Sequence, residues 1–165
     1  MSETNQYIDV LIMGAGLSGI GSAYHLQKHC SDKTYIVLEA RNAIGGTWDL
    51  FRYPGIRSDS DMFTFGYKFK PWKKSKSIAN GDEIKQYIEE AASENGIDQH
   101  IRFGHKIISA DWSDKTALWT VTAQSPQKTE LQVFNCKFFF SCGGYYNHDN
   151  GHVPKFEGVE QYQGK

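Results

Sequence analysis

The sequence predicts an α/β fold built on a parallel sheet, and three observations predict it. A short apolar run ending at Met13 leads into Gly14-x-Gly16-x-x-Gly19. A helix-compatible segment follows, and a second apolar run, Tyr35-Ile-Val-Leu38, delivers Glu39 at its end, twenty residues after Gly19. Further along, three strand-like runs are separated by turn residues, as in a meander. The order strand, glycine turn, helix, strand, acid is that of a Rossmann-like dinucleotide-binding unit.

Each element has a physical reason. Residues 8–13 are short, β-branched and bounded by glycine, which suits a buried parallel strand. Gly14 lets the chain turn tightly out of that strand, Gly16 leaves room for a pyrophosphate, and Gly19 lets the helix pack closely. Residues 18–29 form that helix, whose free N–H groups and positive dipole end suit phosphates. Residues 34–38 read as the second parallel strand, and Glu39 is placed to accept from ribose hydroxyls. Residues 41–76 lose periodicity and fill with Gly, Pro, Asp and aromatic rings. A stretch this long is functional or disordered, and its aromatic content argues against disorder.

Residues 82–95 predict an amphipathic helix, with Ile84, Tyr87, Ile88, Ala91 and Ala92 on one face and Gly96 as its stop. Asp82 is its expected N-cap, without a capping box, because Lys85 stands three positions on. The meander strands are expected over 101–112, 118–124 and 131–141, with breaks at Ser113-Asp-Lys and Ser125-Pro-Gln. The run from Phe138 through Gly144 reads as a buried strand returning to the sheet edge and ending at a nucleotide-facing glycine pair.

With 165 residues the chain is one domain by length, and its 18 basic and 19 acidic side chains leave a net charge of −1, with no field to gather nucleic acid. The apolar runs are too short to span a bilayer. Cys30, Cys136 and Cys142 form no CxxC pair, so neither a metal site nor a redox dithiol is expected. An odd count without a secretory signal suggests reduced thiols in the cytoplasm. His25 and His29 have helical metal-ligand spacing, but no Glu completes an HExxH pattern, and no metal is expected. Lys73, Lys74 and Lys76 read as a solvated face; His148 and His152 read as solvated too.

The glycine motif does not choose between NAD and FAD. A second stretch, Gly45-Gly-Thr-Trp-Asp-Leu-Phe-Arg-Tyr-Pro-Gly-Ile-Arg-Ser-Asp59, does. Its glycine pair permits close backbone approach, and Thr47 and Trp48 offer an N–H donor and an aromatic wall for a planar ring system. Taken with Gly14-Ala-Gly-Leu-Ser-Gly19, Leu38-Glu39, Phe69-Lys-Pro-Trp72, Ile107-Ile-Ser-Ala-Asp-Trp112 and Gly144-Tyr-Tyr-Asn147, the chain resembles class B flavin monooxygenases of the Baeyer–Villiger type over nearly all of its length.

The resemblance implies that residues 1–165 form the FAD-binding domain, a parallel sheet with helices plus a β-meander, truncated from a longer enzyme. Gly14, Gly16, Ser18 and Gly19 would hold the FAD pyrophosphate and Glu39 its ribose. Thr47, Trp48, Asp49 and Leu50 would line the flavin side, and Ile107 would present its backbone to the adenine, though a strand-core role suits it equally. Asp59 stands where the family places a catalytic acid near the flavin, and Arg57, Ser58 and Asp59 lie where NADPH reaches over. Asp61 reads as a solvated loop acid. The implied chemistry uses FAD, NADPH and O2: a flavin C4a-peroxide inserts one oxygen atom into a ketone or oxidises a sulfide or amine. The family's second dinucleotide motif and its catalytic arginine are expected beyond Lys165, in a missing C-terminal portion. The alternatives are an FAD-binding fragment without turnover and, disfavoured for want of a catalytic His or Tyr-Lys set, an NAD-dependent dehydrogenase.

Overall fold

A computed structural model describes residues 6–125, 131–147 and 150–164. Its strands are β1 (Gln6–Met13), β2 (Tyr35–Leu38), β3 (Ile101–Arg102), β4 (Lys106–Ser113), β5 (Leu118–Gln124) and β6 (Gln132–Ser141). Its α-helices are α1 (Leu17–His29), α2 (Thr47–Leu50), α3 (Met62–Phe65) and α4 (Gly81–Glu94). The strands form one sheet in the order β3-β2-β1-β6-β5-β4. β1 pairs in parallel with both β2 and β6, whereas β4, β5 and β6 form the expected antiparallel meander. β6 is therefore shared: parallel on one side, antiparallel on the other.

Both faces of the central strands are covered, which explains their unbroken hydrophobicity. Val10, Ile12, Tyr35 and Val37 share a buried cluster with Ile20 and Ala23 of α1 and with Ile84, Tyr87, Ile88 and Ala91 of α4. Leu11, Ile36 and Leu38 join a second cluster with Val121, Ala123, Phe134 and Cys136 of the meander. The period of two along β1 and β2 thus divides one sheet between two cores.

Four expectations need correcting. The run 101–112 is two strands: β3 pairs with β2 at the outer edge, and the chain turns at Gly104 (φ 68°) before β4 begins. The helix α4, from Gly81, has its N-cap at Asn80, two residues before the expected cap, and Glu83 accepts from the Asn80 N–H at 3.1 Å, which is the acidic half of a capping box. Asp61 does more than face solvent: it caps α3, accepting from the Thr64 N–H at 2.9 Å. The Phe138 strand stands between β1 and β5, not at the edge, yet Phe138 is 54 % exposed. The reason is that β5 accompanies β6 only as far as Cys136, opposite Trp119, so the aromatic run beyond it has β1 alone as its described neighbour. Of the turn expected at Ser125-Pro-Gln, only Ser125 lies among the described residues, and His148 lies outside them.

The aperiodic stretch folds by packing its rings. Phe69 stacks on Tyr24 (3.6 Å between centroids) and on Tyr67 (4.6 Å), and Tyr67 in turn stacks on Tyr87 of α4 (5.7 Å). The hydroxyls are satisfied: Tyr67 donates to the Leu17 carbonyl at 2.6 Å, and Tyr87 donates to the Lys70 carbonyl at 2.5 Å while accepting from the Tyr67 N–H at 2.7 Å. Burial raises the pKa of the Tyr35 phenol to about 12 and of the Cys136 thiol to about 11, and also raises those of Tyr67 and Tyr87. These groups keep their protons in the fold at pH values where the unfolded chain sheds them. Stability is therefore intact below about pH 9 and falls as pH rises through 11 and 12. Urea midpoints measured at pH 8, 10 and 11 should decrease in that order, and a flat series would contradict the burial of these groups.

Candidate functional site

The carboxyl ends of β1 and β6 are the topological switch point of the sheet, because β1 continues to β2 on one side and meets β6 on the other. Four backbone segments converge there: the turn 14–16, the pair Gly45-Gly46, the loop 51–59 and the loop 142–146. Gly14 donates to the Leu38 carbonyl (2.8 Å), Cys142 donates to the Met13 carbonyl (2.9 Å) and Gly45 donates to the Ala15 carbonyl (3.1 Å).

The three motif glycines have different reasons to be glycine. A Cβ at Gly14, whose φ is +97°, would meet the Cys142 carbonyl oxygen at 2.7 Å, and one at Gly19 would meet the Gly14 carbonyl oxygen at 1.9 Å. Those two are demanded by the fold itself. At Gly16 a Cβ would meet nothing closer than the Gly46 Cα at 3.5 Å, an ordinary contact. Nothing in the chain itself forbids a side chain there: Gly16 faces the Gly46 backbone across an ordinary van der Waals contact, at the start of α1. Gly16 caps α1 without a side-chain hydrogen bond, the first turn carries no acid, and Lys28 and His29 sit at the far end. The helix thus presents its positive pole and its first N–H groups at the turn 14–16.

Glu39 is held at the other end of the same turn. Only 7 % exposed, it accepts from the Ala15 N–H through Oε2 (2.7 Å) and from the Arg41 N–H through Oε1 (2.9 Å). A carboxylate with two backbone donors is stereochemically fixed and still has lone pairs for further donors. The loop before β4 closes around it: the Glu39 N–H donates to the Arg102 carbonyl, the His105 N–H to the Glu39 carbonyl and the Gly104 N–H to the Arg41 carbonyl. Sequence reading missed this bracket, although Gly104 marks where the chain must turn to form it. Ile107 lies just beyond it, partly buried against the meander core.

The second glycine stretch meets the first back to back. A Cβ on Gly46 would stand 3.1 Å from the Gly16 Cα. Immediately after it, Asp49 is 5 % exposed and forms the centre of an ionic cluster with Arg41, with Arg52 (3.1 Å) and with Lys85 of α4 (3.2 Å). Asp49 and Glu89 together raise the Lys85 pKa, favouring its charged form. The carboxylate of Asp49 is thus turned onto cations of the fold. Trp48 sits edge-on to Phe65 at 5.8 Å, and Thr47 and Leu50 are half-buried beside it.

The remaining expected residues lie on the loop 51–59. Ser58 is buried, donating its N–H to the Ala79 carbonyl (2.9 Å) and accepting from the Ala79 N–H through its Oγ (3.2 Å). Arg57 forms a bridge with Asn80, and Asp59 is exposed. Phe51 meets Tyr146 edge-on at 5.3 Å, which brings this loop to the end of β6. The structure therefore brings the turn and helix start that hold Gly14, Gly16, Ser18 and Gly19 next to Glu39, with residues 47–50 in α2, residues 57–59 on the flanking loop and Ile107 set apart on β4.

Comparison with known proteins places this geometry. Residues 12–76 match the NAD(P)-binding Rossmann-like domain family. The chain is 53 % identical over 160 residues to the FAD-containing monooxygenase EthA of Mycolicibacterium smegmatis, covering 97 % of this chain and 32 % of that protein. It is 52 % identical over 159 residues to EthA of Mycobacterium tuberculosis, with 96 % and 32 % covered. Among solved structures it superposes on an oxidised steroid monooxygenase bound to NADP (TM-score 0.78, 26 % identity, 94 % of this chain and 29 % of that one). It also superposes on OTEMO complexed with FAD and NADP (TM-score 0.76, 28 % identity, 100 % and 30 %). The resemblance read in the sequence holds: over nearly its whole length this chain is similar to FAD-containing monooxygenases, and it spans 32 % of the length of these curated relatives.

Proposed function

We propose that residues 1–165 are the FAD-binding domain of an FAD- and NADPH-dependent monooxygenase of the Baeyer–Villiger type. The observation that carries this is a helix start with no side-chain cap and no acid in its first turn, behind a glycine that the fold itself does not require, with a fixed carboxylate, Glu39, at the other end of the turn. Those are the partners that a pyrophosphate and a ribose need. Gly16, Ser18 and Gly19 hold the pyrophosphate through backbone N–H groups, Gly14, whose own N–H goes to the Leu38 carbonyl, turns the chain into the site, Glu39 accepts from the ribose, and Ile107 offers its backbone to the adenine. Thr47 and Trp48 bound the flavin side, with Asp49 and Leu50 behind them. Asp59 is the acid on the loop that would face the flavin, and Arg57 and Asp59 would receive NADPH, whereas Ser58 is buried and fastens that loop to Ala79. Bound FAD, reduced by NADPH, supplies the activation of O2 and the transfer of one oxygen atom to a ketone, sulfide or amine. The chain's own residues bind, orient and exclude water.

The partner is the rest of the same enzyme. The apolar groove of about 640 Å3 along α1, lined by Leu17, Leu26, Tyr67 and Phe140 among others, is a surface for it to cover, as is the exposed Phe138. Since the chain spans 32 % of its relatives' length, it holds FAD without turning over substrate unaided. Free thiols, including the exposed Cys30, suit the cytoplasm.

Titration of the 165-residue chain with FAD, followed by flavin fluorescence and visible absorbance, tests the reading. Saturable binding is expected. Glu39→Ala removes a charged acceptor from the ribose and should weaken it at least about tenfold. A folded wild-type chain that leaves flavin fluorescence unchanged would overturn the assignment.

A further inference from the structure

Resting on the nucleotide site just described, we infer that Asp49 sets which adenosine ribose this site accepts: by occupying Arg41 it denies the site a cation for a 2′-phosphate. Rossmann-like sites distinguish the two riboses by an acid that takes the free 2′-hydroxyl or by a nearby arginine that takes the 2′-phosphate. This chain has both residue types within two positions of each other. Glu39 directly follows β2, and the Arg41 backbone N–H donates to the Glu39 Oε1 at 2.9 Å. By its place on the backbone, Arg41 is the arginine that a 2′-phosphate would call upon.

Its guanidinium is committed elsewhere. One terminal nitrogen pairs with the Asp49 Oδ2, the other lies 3.4 Å from the Gly46 carbonyl, and the side chain is 28 % exposed. Asp49 is itself anchored by Arg52 and Lys85, so it cannot follow Arg41 outward without abandoning two further cations. A buried carboxylate with three cations around it is held in place, because breaking any pair leaves charge poorly solvated. A 2′-phosphate at this site therefore meets the Glu39 carboxylate while the Arg41 guanidinium is held by Asp49, and the like charges repel. Neither Arg41 nor Asp49 is marked by the glycine motif; their pairing across eight positions is visible only in the fold.

ADP-ribose and its 2′-phosphate differ only in the group at issue, and both can be measured by their displacement of FAD from the 165-residue chain. Wild type should bind the phosphorylated form at least about tenfold more weakly. Asp49→Asn, which keeps the shape and frees Arg41, should close that gap to within about threefold, chiefly by improving the phosphorylated ligand. In Asp49→Asn/Arg41→Gln the gap should reopen. Loss of stability alone would weaken both ligands together, so the ratio separates selectivity from damage. A wild type that does not discriminate, or an Asp49→Asn variant that folds and keeps the wild-type ratio, overturns the inference and leaves FAD binding standing. Should Asp49→Asn fail to fold, Arg41→Gln answers from the other partner. With the guanidinium already committed, its loss leaves the weak affinity for the phosphorylated ligand in place; a further fall would show Arg41 to be free and overturn the inference. Absence of FAD binding by the wild-type chain defeats the underlying reading and this one with it.

Discussion

Gly16→Ala is expected to leave the chain folded and to raise the FAD dissociation constant by about a hundredfold. The backbone at Gly16 has φ −81° and an extended ψ of −170°, a conformation open to any residue. The added methyl meets the Gly46 Cα at 3.5 Å and no other chain segment more closely, so the melting temperature should move by less than about 2 °C. The same methyl is added at the N-cap of α1, where a pyrophosphate must approach within hydrogen-bonding distance of the N–H groups. An ångström of forced separation there removes several charge-assisted bonds together. Calorimetry and fluorescence titration on one sample give both numbers. Unchanged affinity in a folded variant would mean that the phosphates lie elsewhere.

Gly19→Ala should do the opposite, costing about 3 kcal/mol or more of folding stability before any ligand is considered. Its Cβ would sit 1.9 Å from the Gly14 carbonyl oxygen and 3.0 Å from the carbonyl carbon, with Ile12 Cγ2 at 3.7 Å behind them. These first two atoms are backbone and cannot rotate away. Gly14 is pinned by its bond to Leu38 and by the Cys142 carbonyl, so relief requires α1 to lift from β1. That opens the cluster in which Ile20 and Ala23 meet Val10 and Ile12. For a chain of this size the melting temperature should fall by about 6–12 °C. A fall of only about 1 °C would show that the turn is far more compliant than its hydrogen bonds suggest. One methyl, placed three residues apart, thus separates ligand space from packing space.

Much of this was legible in the sequence because it rests on local rules. The path through β1, α1, β2 and Glu39 follows from apolar runs and glycines at fixed offsets, and β5 begins and ends where its alternation does. The helix cap was misplaced because Asn80 and Asp82 are both good N-caps, and only Glu83, three positions after Asn80, decides between them. The break at residues 103–105 was missed because apolar residues continue on both sides of a single glycine. The ionic cluster was out of reach for a different reason. Lys85 reaches Asp49 only after α4 has packed, and neither that pair nor the one with Arg41 eight positions away follows a period that the sequence displays. Equally hidden was the bond from Ala15 to Glu39, which makes the acid a support of the glycine turn as well as a group facing the ribose.

The shared strand has a consequence for how the molecule comes into being. β1 is made first and β6 last among the strands, yet they lie side by side in register from Gln6 opposite Phe134 to Met13 opposite Ser141. Until the ribosome has released the segment that forms β6, one flank of β1 has no strand to bond and the Cys142 carbonyl is not there to seat against Gly14. Such a distant parallel pairing raises the contact order and delays the decisive step. β1, α1 and β2 must wait as a half-built nucleotide turn, exposed to unproductive association, and the site closes only once the residues through Cys142 have been synthesised.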